Sequence, residues 1–210
     1  MTIYSPSGAV VYEAPITKSA IIRRELMGDY YIELVFDAVD RIDIGRGCYI
    51  LYNNHRFEIM SNVIPDDTSQ GGLRYTLRFE AQQSQMKRCK VFWREGETLE
   101  VSFALTSDIS TFGQLIIDNV NAFLGGSAFS LGSVPSNAEM KAISFAGDSC
   151  WDAVATIAET FGVEWWTEED GDNVRLCFGK LETGDSIEFR KGDIVSSIPS
   201  KKGDDASYGT

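Results

Sequence analysis

The stretch Leu73-Arg74-Tyr75-Thr76-Leu77-Arg78-Phe79-Glu80-Ala81 places apolar side chains at every second position and polar side chains between them. Successive side chains of a β-strand point to opposite faces of its sheet. The alternation therefore predicts a strand with one face on a core and the other face in water. The pair Gly71-Gly72 directly before it predicts a turn at the strand's start.

More strands are predicted on the N-terminal side of this stretch. Cys48–Tyr52 and Arg56–Met60 flank Asn53-Asn54. Asparagine tolerates the positive φ of a tight turn, so these segments predict a β-hairpin. Five or more short strands separated by turns predict a small β-barrel or sandwich. The remaining strands predicted here are Ile3–Tyr12, Ser19–Arg24 and Tyr31–Phe36.

The second half of the chain predicts helices mixed with strands. Leu99–Thr106 alternates as a strand. The first helix is predicted to begin at the capping box Thr111–Gln114 and to end at Gly125-Gly126, where a residue with positive φ closes the last turn. A loop rich in glycine and serine is expected to run to about residue 137. The side chains predicted to line the helix's apolar side are Phe112, Leu115, Ile116 and Phe123.

A second helix is predicted between a cap at Asp148 or Ser149 and a stop at Gly162. Its apolar residues follow the spacing of a buried stripe. They are Trp151, Val154, Ala155, Ala158 and Phe161. The strands predicted around this helix are Ala142–Ala146, a hairpin of Val163–Thr167 with Val174–Phe178, and a last strand at Ile187–Phe189.

The predicted fold is mainly β with an α+β part: a small N-terminal β-barrel or sandwich, then an α+β domain with two helices. The polar stretch 82–96 interrupts the strand pattern and predicts the boundary. We therefore expect a barrel-like domain over 1–95, an α+β domain over 96–198, and a flexible or truncated tail over 199–210. The basic side chains in the boundary stretch are expected in a solvated linker: Lys87, Arg88, Lys90 and Arg94.

The charge of the chain excludes some classes of partner. The 210 residues include 19 basic and 31 acidic side chains, for a net charge of −12. Residues 1–105 carry −2 and residues 106–210 carry −10. Neither half has the basic surface that a nucleic-acid backbone requires, so no nucleic acid is expected as a partner. No apolar run approaches the ~20 residues of a spanning helix, so no membrane span is expected either.

The four cysteines lie far apart in the sequence, at Cys48, Cys89, Cys150 and Cys177. None forms the C-x-x-C spacing typical of a zinc site. A chain of this length does not need disulfides to hold its core. We therefore expect four reduced thiols, mostly in the core.

No residue pattern in the sequence predicts a reaction. The single histidine, His55, follows the Asn53-Asn54 turn, without a G-x-S-x-G motif in the chain, and is expected to be exposed and not catalytic. The acidic run Glu168–Asn173 lacks the calcium-loop spacing and is expected at a charged hairpin tip. Trp165 and Trp166 are neighbours on one strand, so at most one joins the core. Gly45-Arg46-Gly47 does not complete a dinucleotide motif. No catalytic, cofactor or metal residue is predicted, and no cofactor.

The order of these segments resembles that of the baseplate hub, or tail-tip, proteins of phage tails, including the prophage tail "endopeptidase" group. The resemblance implies a homotrimeric ring in which small β-barrels match the tail tube and an α+β unit lies beside them. A peptidoglycan-cleaving domain, where that family has one, is implied to be a separate C-terminal segment. The segments that carry the resemblance are Tyr31–Phe36, Ile42–Ile50, Phe57–Ile59, Tyr75–Glu80, Ile143–Phe145 and Ser149–Trp165.

The function implied by the resemblance is that of a structural, non-enzymatic tail component located in the virion tail and assembled in the bacterial cytoplasm. The implied partners are tail tube protein, distal tail protein, and a spike or fibre. Two alternatives stay open: a fragment of a cell-wall-degrading enzyme, and a module that binds carbohydrate or a host receptor. An active-site cleft with perturbed titratable groups favours the enzyme. An exposed aromatic platform that includes Trp165 or Trp166 favours the binding module.

Overall fold

The structure, a computed structural model, describes residues 1–15, 20–69, 71–96, 98–136, 139–171 and 173–181. Residues 1–180 form one compact unit. The predicted strand at Ile187–Phe189 and the predicted tail 199–210 lie outside the described residues.

An antiparallel sheet of eight strands forms the first part of the chain and curls into a half-barrel. Its strands are β1 (Thr2–Tyr4), β2 (Val10–Glu13), β3 (Ile21–Arg24), β4 (Tyr30–Ala38), β5 (Tyr49–Tyr52), β6 (His55–Glu58), β7 (Asp66–Asp67) and β8 (Leu73–Ala81). Seven of them lie in the order β2-β1-β5-β6-β8-β4-β3, and β7 pairs with β8. We refer to this sheet, residues 1–81, as the half-barrel.

The long central pair of the half-barrel is formed by β4 and β8. The predicted alternation of apolar and polar side chains along β8 is confirmed. Leu77 and Phe79 are buried and lie opposite Leu34 and Ile32 of β4. Each of these side chains is 0% exposed. Burying one large apolar side chain contributes about 1.5–3 kcal/mol, so the inner face of this pair supplies much of the half-barrel's stability.

Two turns decide how the N-terminal strands run. Asn53 and Asn54 adopt φ values of 48° and 65°, which confirms the predicted hairpin of β5 and β6. The single strand predicted over Ile3–Tyr12 is wrong, because residues 5–9 turn and separate β1 from β2. Gly8 takes a φ of 87° in that turn, a conformation that only glycine adopts without strain.

The stretch after β8 is a packed connection, so the prediction of a solvated linker is wrong. It forms a 3₁₀-helix at Gln82–Lys87 in which Gln83 and Met86 are buried, and Cys89 and Val91 are buried beyond it. Buried amides are tolerated where they find hydrogen-bond partners, as Gln83 does. The basic side chains of the stretch lie on its exposed side.

A two-stranded hairpin follows the connection. Its strands are β9 (Trp93–Glu95) and β10 (Thr98–Glu100), one on each side of the boundary proposed after residue 95. The division at that residue therefore stays a prediction. The strand expected over Leu99–Thr106 is broken at Val101, because β10 pairs with β9 whereas the next strand pairs elsewhere.

Two α-helices and two small sheets form the remaining part, residues 102–179, which we refer to as the α+β half. Strand β11 pairs with β13, and the second sheet has the order β12-β15-β14 with β12 parallel to β15. Its elements are β11 (Ser102–Ser107), α1 (Ile109–Leu124), β12 (Phe129–Leu131), β13 (Lys141–Ala146), α2 (Cys150–Phe161), β14 (Glu164–Asp170) and β15 (Asn173–Gly179). The predicted fold class is confirmed. Strand β12 lies inside the segment expected to be a loop, where Phe129 is drawn into the core.

The N-cap of helix α1 lies three residues before Thr111, the first residue of the predicted capping box. This N-cap is Asp108, whose carboxylate accepts a hydrogen bond from the Thr111 backbone N–H at 2.8 Å. Phe112 and Ile116 are buried as predicted, but Phe123 is 48% exposed. The predicted stop is confirmed, since Gly125 has a φ of 70°.

Helix α2 begins at the predicted cap Ser149 and ends at Gly162. Three residues of the predicted stripe, Val154, Ala158 and Phe161, are buried, whereas the other two are not. Ala155 is exposed and Trp151 is only half-buried, because the stripe starts at Cys150 and returns every three or four residues. The buried residues are Cys150, Ala153, Val154, Ile157, Ala158 and Phe161.

Candidate functional site

A histidine and a glutamate meet where the half-barrel touches the α+β half. His55 begins β6, and Glu169 lies near the end of β14. The Nδ1 atom of His55 is 3.3 Å from Oε2 of Glu169, and the two side chains are 28% and 7% exposed. The expectation that His55 is an exposed turn residue is therefore wrong.

The inward direction of Glu169 follows from the alternation of β14. Trp165 and Thr167 lie on the same face of the strand and are 1% and 5% exposed. Glu168 points the other way and pairs with Arg175, with 3.1 Å between Oε2 and Nη2. The acidic run Glu168–Asn173 was predicted to form a charged hairpin tip. This prediction is wrong at Glu169, because β14 continues into the run as far as Asp170.

Burial raises the pKa of the Glu169 carboxyl, and the nearby His55 and Arg24 oppose that shift. One of its oxygens, Oε1, is buried without a hydrogen-bond partner among the described residues. A buried carboxylate without full compensation favours its protonated form.

A polar cavity of about 250 Å³ surrounds this pair. Its lining residues are Arg24, Tyr30, His55, Thr167, Glu168 and Glu169. No serine or cysteine is among them, and the Thr167 hydroxyl is already hydrogen-bonded to Oε1 of Gln83. An imidazole and a carboxylate can move a proton, but nucleophilic catalysis also needs a hydroxyl or thiol within reach of the base.

Gln83 connects the two parts of the chain beside this cavity. Its side-chain amide donates to the Gly28 carbonyl oxygen at 2.8 Å, while its oxygen bonds the Thr167 hydroxyl. A charged cluster links the half-barrel to the 3₁₀-helix that contains Gln83: Asp29 accepts from Arg78 at 2.7 Å and from Lys87 at 2.6 Å. Partial burial would raise the pKa of Asp29, but these two cations outweigh it and lower that pKa.

The other residues noted in the sequence do not gather into a site. The four cysteines are buried and not joined by disulfides, and Trp165 lies in the core while Trp166 is half-buried. Across the described ranges, no group of three or more His, Cys, Asp or Glu side chains is placed to hold a metal ion. In the same ranges, no helix combines the length and apolarity needed to span a membrane.

No protein-family model and no curated protein matches the sequence. Among solved structures, prophage tail protein gp18 from Listeria monocytogenes EGD-e superposes on 86% of this chain with a TM-score of 0.58 and 11% identity. This chain has the fold of a phage tail protein. The similarity expected from the sequence is thus confirmed at the level of the fold.

A second structure has the same tail-protein fold. It is the Escherichia coli c3393 protein, described as a type VI secretion component similar to T4 tail proteins gp27 and gp5. The similarity covers 83% of this chain, with a TM-score of 0.50 and 12% identity. This chain spans about half the length of these structures, with 50% of gp18 and 51% of c3393 covered.

Proposed function

We propose that this protein is a structural component of a phage or prophage tail and forms the hub ring at the tail tip beneath the tail tube. The observation that carries the proposal is the fold match to gp18, which extends over 86% of the chain and so takes in both the half-barrel and the α+β half. The proposed location is the virion tail, after assembly in the bacterial cytoplasm.

The proposed assembly is a homotrimer joined mainly through residues 1–105. Two strand edges support this assignment, because β2 and β3 end the half-barrel sheet without a further partner among the described residues. Open strand edges readily pair with another chain. The low net charge of residues 1–105, −2, also opposes close approach less than the −10 of the remainder. The proposed partners are tail tube protein, distal tail protein, and a spike or fibre.

Light scattering and negative-stain microscopy of the full-length protein, alone and with its tube protein, test this proposal. We expect a mass of three chains and rings that cap the tube. A strict monomer at tens of micromolar, with no ring when tube protein is present, would rule out a hub.

We further propose that residues 1–210 carry no hydrolase activity. The cavity around His55 supports this, since no serine or cysteine lines it. Zymography on peptidoglycan with the purified protein is expected to show no clearing. Clearing that disappears in His55→Ala would make the cavity an active site and overturn the proposal.

A further inference from the structure

A groove of about 600 Å³ lies between helix α1 and the β9–β10 hairpin. It shares no lining residue with the cavity around His55. Its floor is fixed, because the Asn119 side chain accepts from the Phe92 backbone N–H at 3.0 Å and donates to the Phe92 carbonyl oxygen at 3.1 Å. Along α1 the groove extends from Leu115 to Phe123. At the helical rise per residue this is about 12 Å, the length of a short peptide segment.

The walls of this groove expose large apolar side chains. Phe123 on α1 is 48% exposed and Leu99 on β10 is 52% exposed, and Trp93 also lines the groove. The β9–β10 hairpin pairs with no other strand in the described part of the chain. A two-stranded hairpin is only marginally stable in water by itself, and an exposed apolar surface beside it is typical of an interaction site.

The charge at the groove is opposite in sign to that of the whole chain. Lys90 and Arg94 line it, and the Arg88 guanidinium lies 5.7 Å from the Phe123 ring centre. None of the three forms an ion pair with a carboxylate of the described residues, whereas Arg74 and Arg78 do. The remaining charged group in the lining is Asp118, which accepts a hydrogen bond from Gln114. Lys90 Nζ donates to the Gly147 carbonyl oxygen at 2.6 Å and Arg88 Nη1 to Gln85 Oε1 at 3.0 Å, so these cations are held in place without a carboxylate partner among the described residues. The groove therefore combines exposed positive charge with apolar walls.

We propose that this groove is a docking site for an acidic segment of a partner protein, one that carries apolar side chains between its carboxylates. Apolar side chains of the partner segment contact Phe123, Trp93 and Leu99. Its carboxylates pair with Arg88, Lys90 and Arg94. Complementary charge at the rim speeds encounter and sets specificity, while the buried apolar contacts supply most of the affinity. This inference does not depend on the hub assignment.

A fluorescein-labelled peptide in which glutamate alternates with leucine and phenylalanine is the probe, measured by fluorescence anisotropy. Its counterpart carries lysine in place of every glutamate. We expect the acidic peptide to bind at least tenfold more tightly than the basic one, and its affinity to fall with added salt because the rim contacts are exposed.

Variants assign the binding to the groove. Phe123→Asp and Arg94→Glu are each expected to weaken binding of the acidic peptide at least tenfold, because each places a negative charge in the groove. Both side chains are exposed, so the substitutions should not unfold the chain. The matched controls are Leu51→Asp and Arg41→Glu, which are exposed on the half-barrel and should leave the affinity unchanged.

Three results would overturn the proposal. The first is binding of neither peptide, or of both peptides equally. The second is equal weakening by groove and control variants. The third is self-association of the protein that Phe123→Asp abolishes in sedimentation runs, which would make a second copy of this chain the occupant.

Discussion

The Nδ1 atom of His55 lies 3.3 Å from Oε2 of Glu169, and this contact joins a strand of the half-barrel to a strand of the α+β half. The two residues are 114 positions apart in the sequence. Around them, Gln83 bonds both Gly28 and Thr167, so polar groups from several elements converge on one joint. Buried polar contacts of this kind contribute to stability only while every partner is present.

The buried carboxyl of Glu169 is expected to make stability depend on pH. Its folded pKa is raised, so the folded state holds the proton more tightly than the unfolded state. The stability that this proton provides is present below the unfolded value of about 4.3 and is lost as the pH rises through the folded pKa. Glu169→Gln should therefore gain stability relative to the unsubstituted protein as the pH rises above the unfolded value.

Urea denaturation at several pH values measures this difference. Glu168→Gln is the control, since its carboxyl is 45% exposed and its ion pair with Arg175 contributes about 0–1 kcal/mol. A stability difference for Glu169→Gln that stays constant or shrinks with rising pH would contradict the assignment.

The hydrogen bond between Gln83 and Thr167 is expected to couple the two parts of the chain. Gln83→Ala leaves the half-buried Gly28 carbonyl and the buried Thr167 hydroxyl without this partner, at a cost of about 1–3 kcal/mol. Thr167→Val removes the hydroxyl with little change of shape. A double-mutant cycle measured by denaturation should give a coupling energy of at least about 0.5 kcal/mol. Additive effects would show that the contact does not hold the joint.

The burial along α2 predicts an order of mutational cost. Phe161→Ala should cost ~3–5 kcal/mol, the range for deletion of a large aromatic side chain from a core. Trp151→Ala should cost less, because Trp151 is half-buried, although its ring contacts Trp165 edge-on at a centroid distance of 5.0 Å. Exposed Glu159→Ala should cost less than about 0.5 kcal/mol. Equal and small losses for all three variants in denaturant melts would refute this helix face.

Close packing at Gly132 predicts a strong effect of a single methyl group. A Cβ atom there would overlap the Cys177 sulfur and approach the Leu176 carbonyl oxygen to 3.4 Å. Overpacking of this kind costs about 1–3 kcal/mol. Gly126→Ala is the matched control, since nothing lies within 4 Å of its Cβ position. Thermal melts should show a clear drop in Tm for Gly132→Ala alone, and a matching drop for both variants would place the cause elsewhere.

The sequence by itself determined the local structure wherever a regular pattern of apolar residues ended at a turn or a helix-capping residue. The alternation of β8, the Asn53-Asn54 turn, and the ends of both helices at Gly125 and Gly162 all follow from side-chain direction and from residues that accept positive φ. These features depend on neighbours a few residues away, so a single stretch of sequence contains all the information needed. The fold class followed from their order along the chain.

Only the tertiary structure decided which polar residues lie inside. Glu169 belongs to an acidic run and Gln83 to a polar stretch, and both were expected in water. Packing of the half-barrel against the α+β half brings distant partners beside them. Glu169 meets His55, and Gln83 meets Gly28 and Thr167. A polar contact between residues 84 or 114 positions apart leaves no periodic trace in the sequence, since its partners are chosen by the fold and not by spacing.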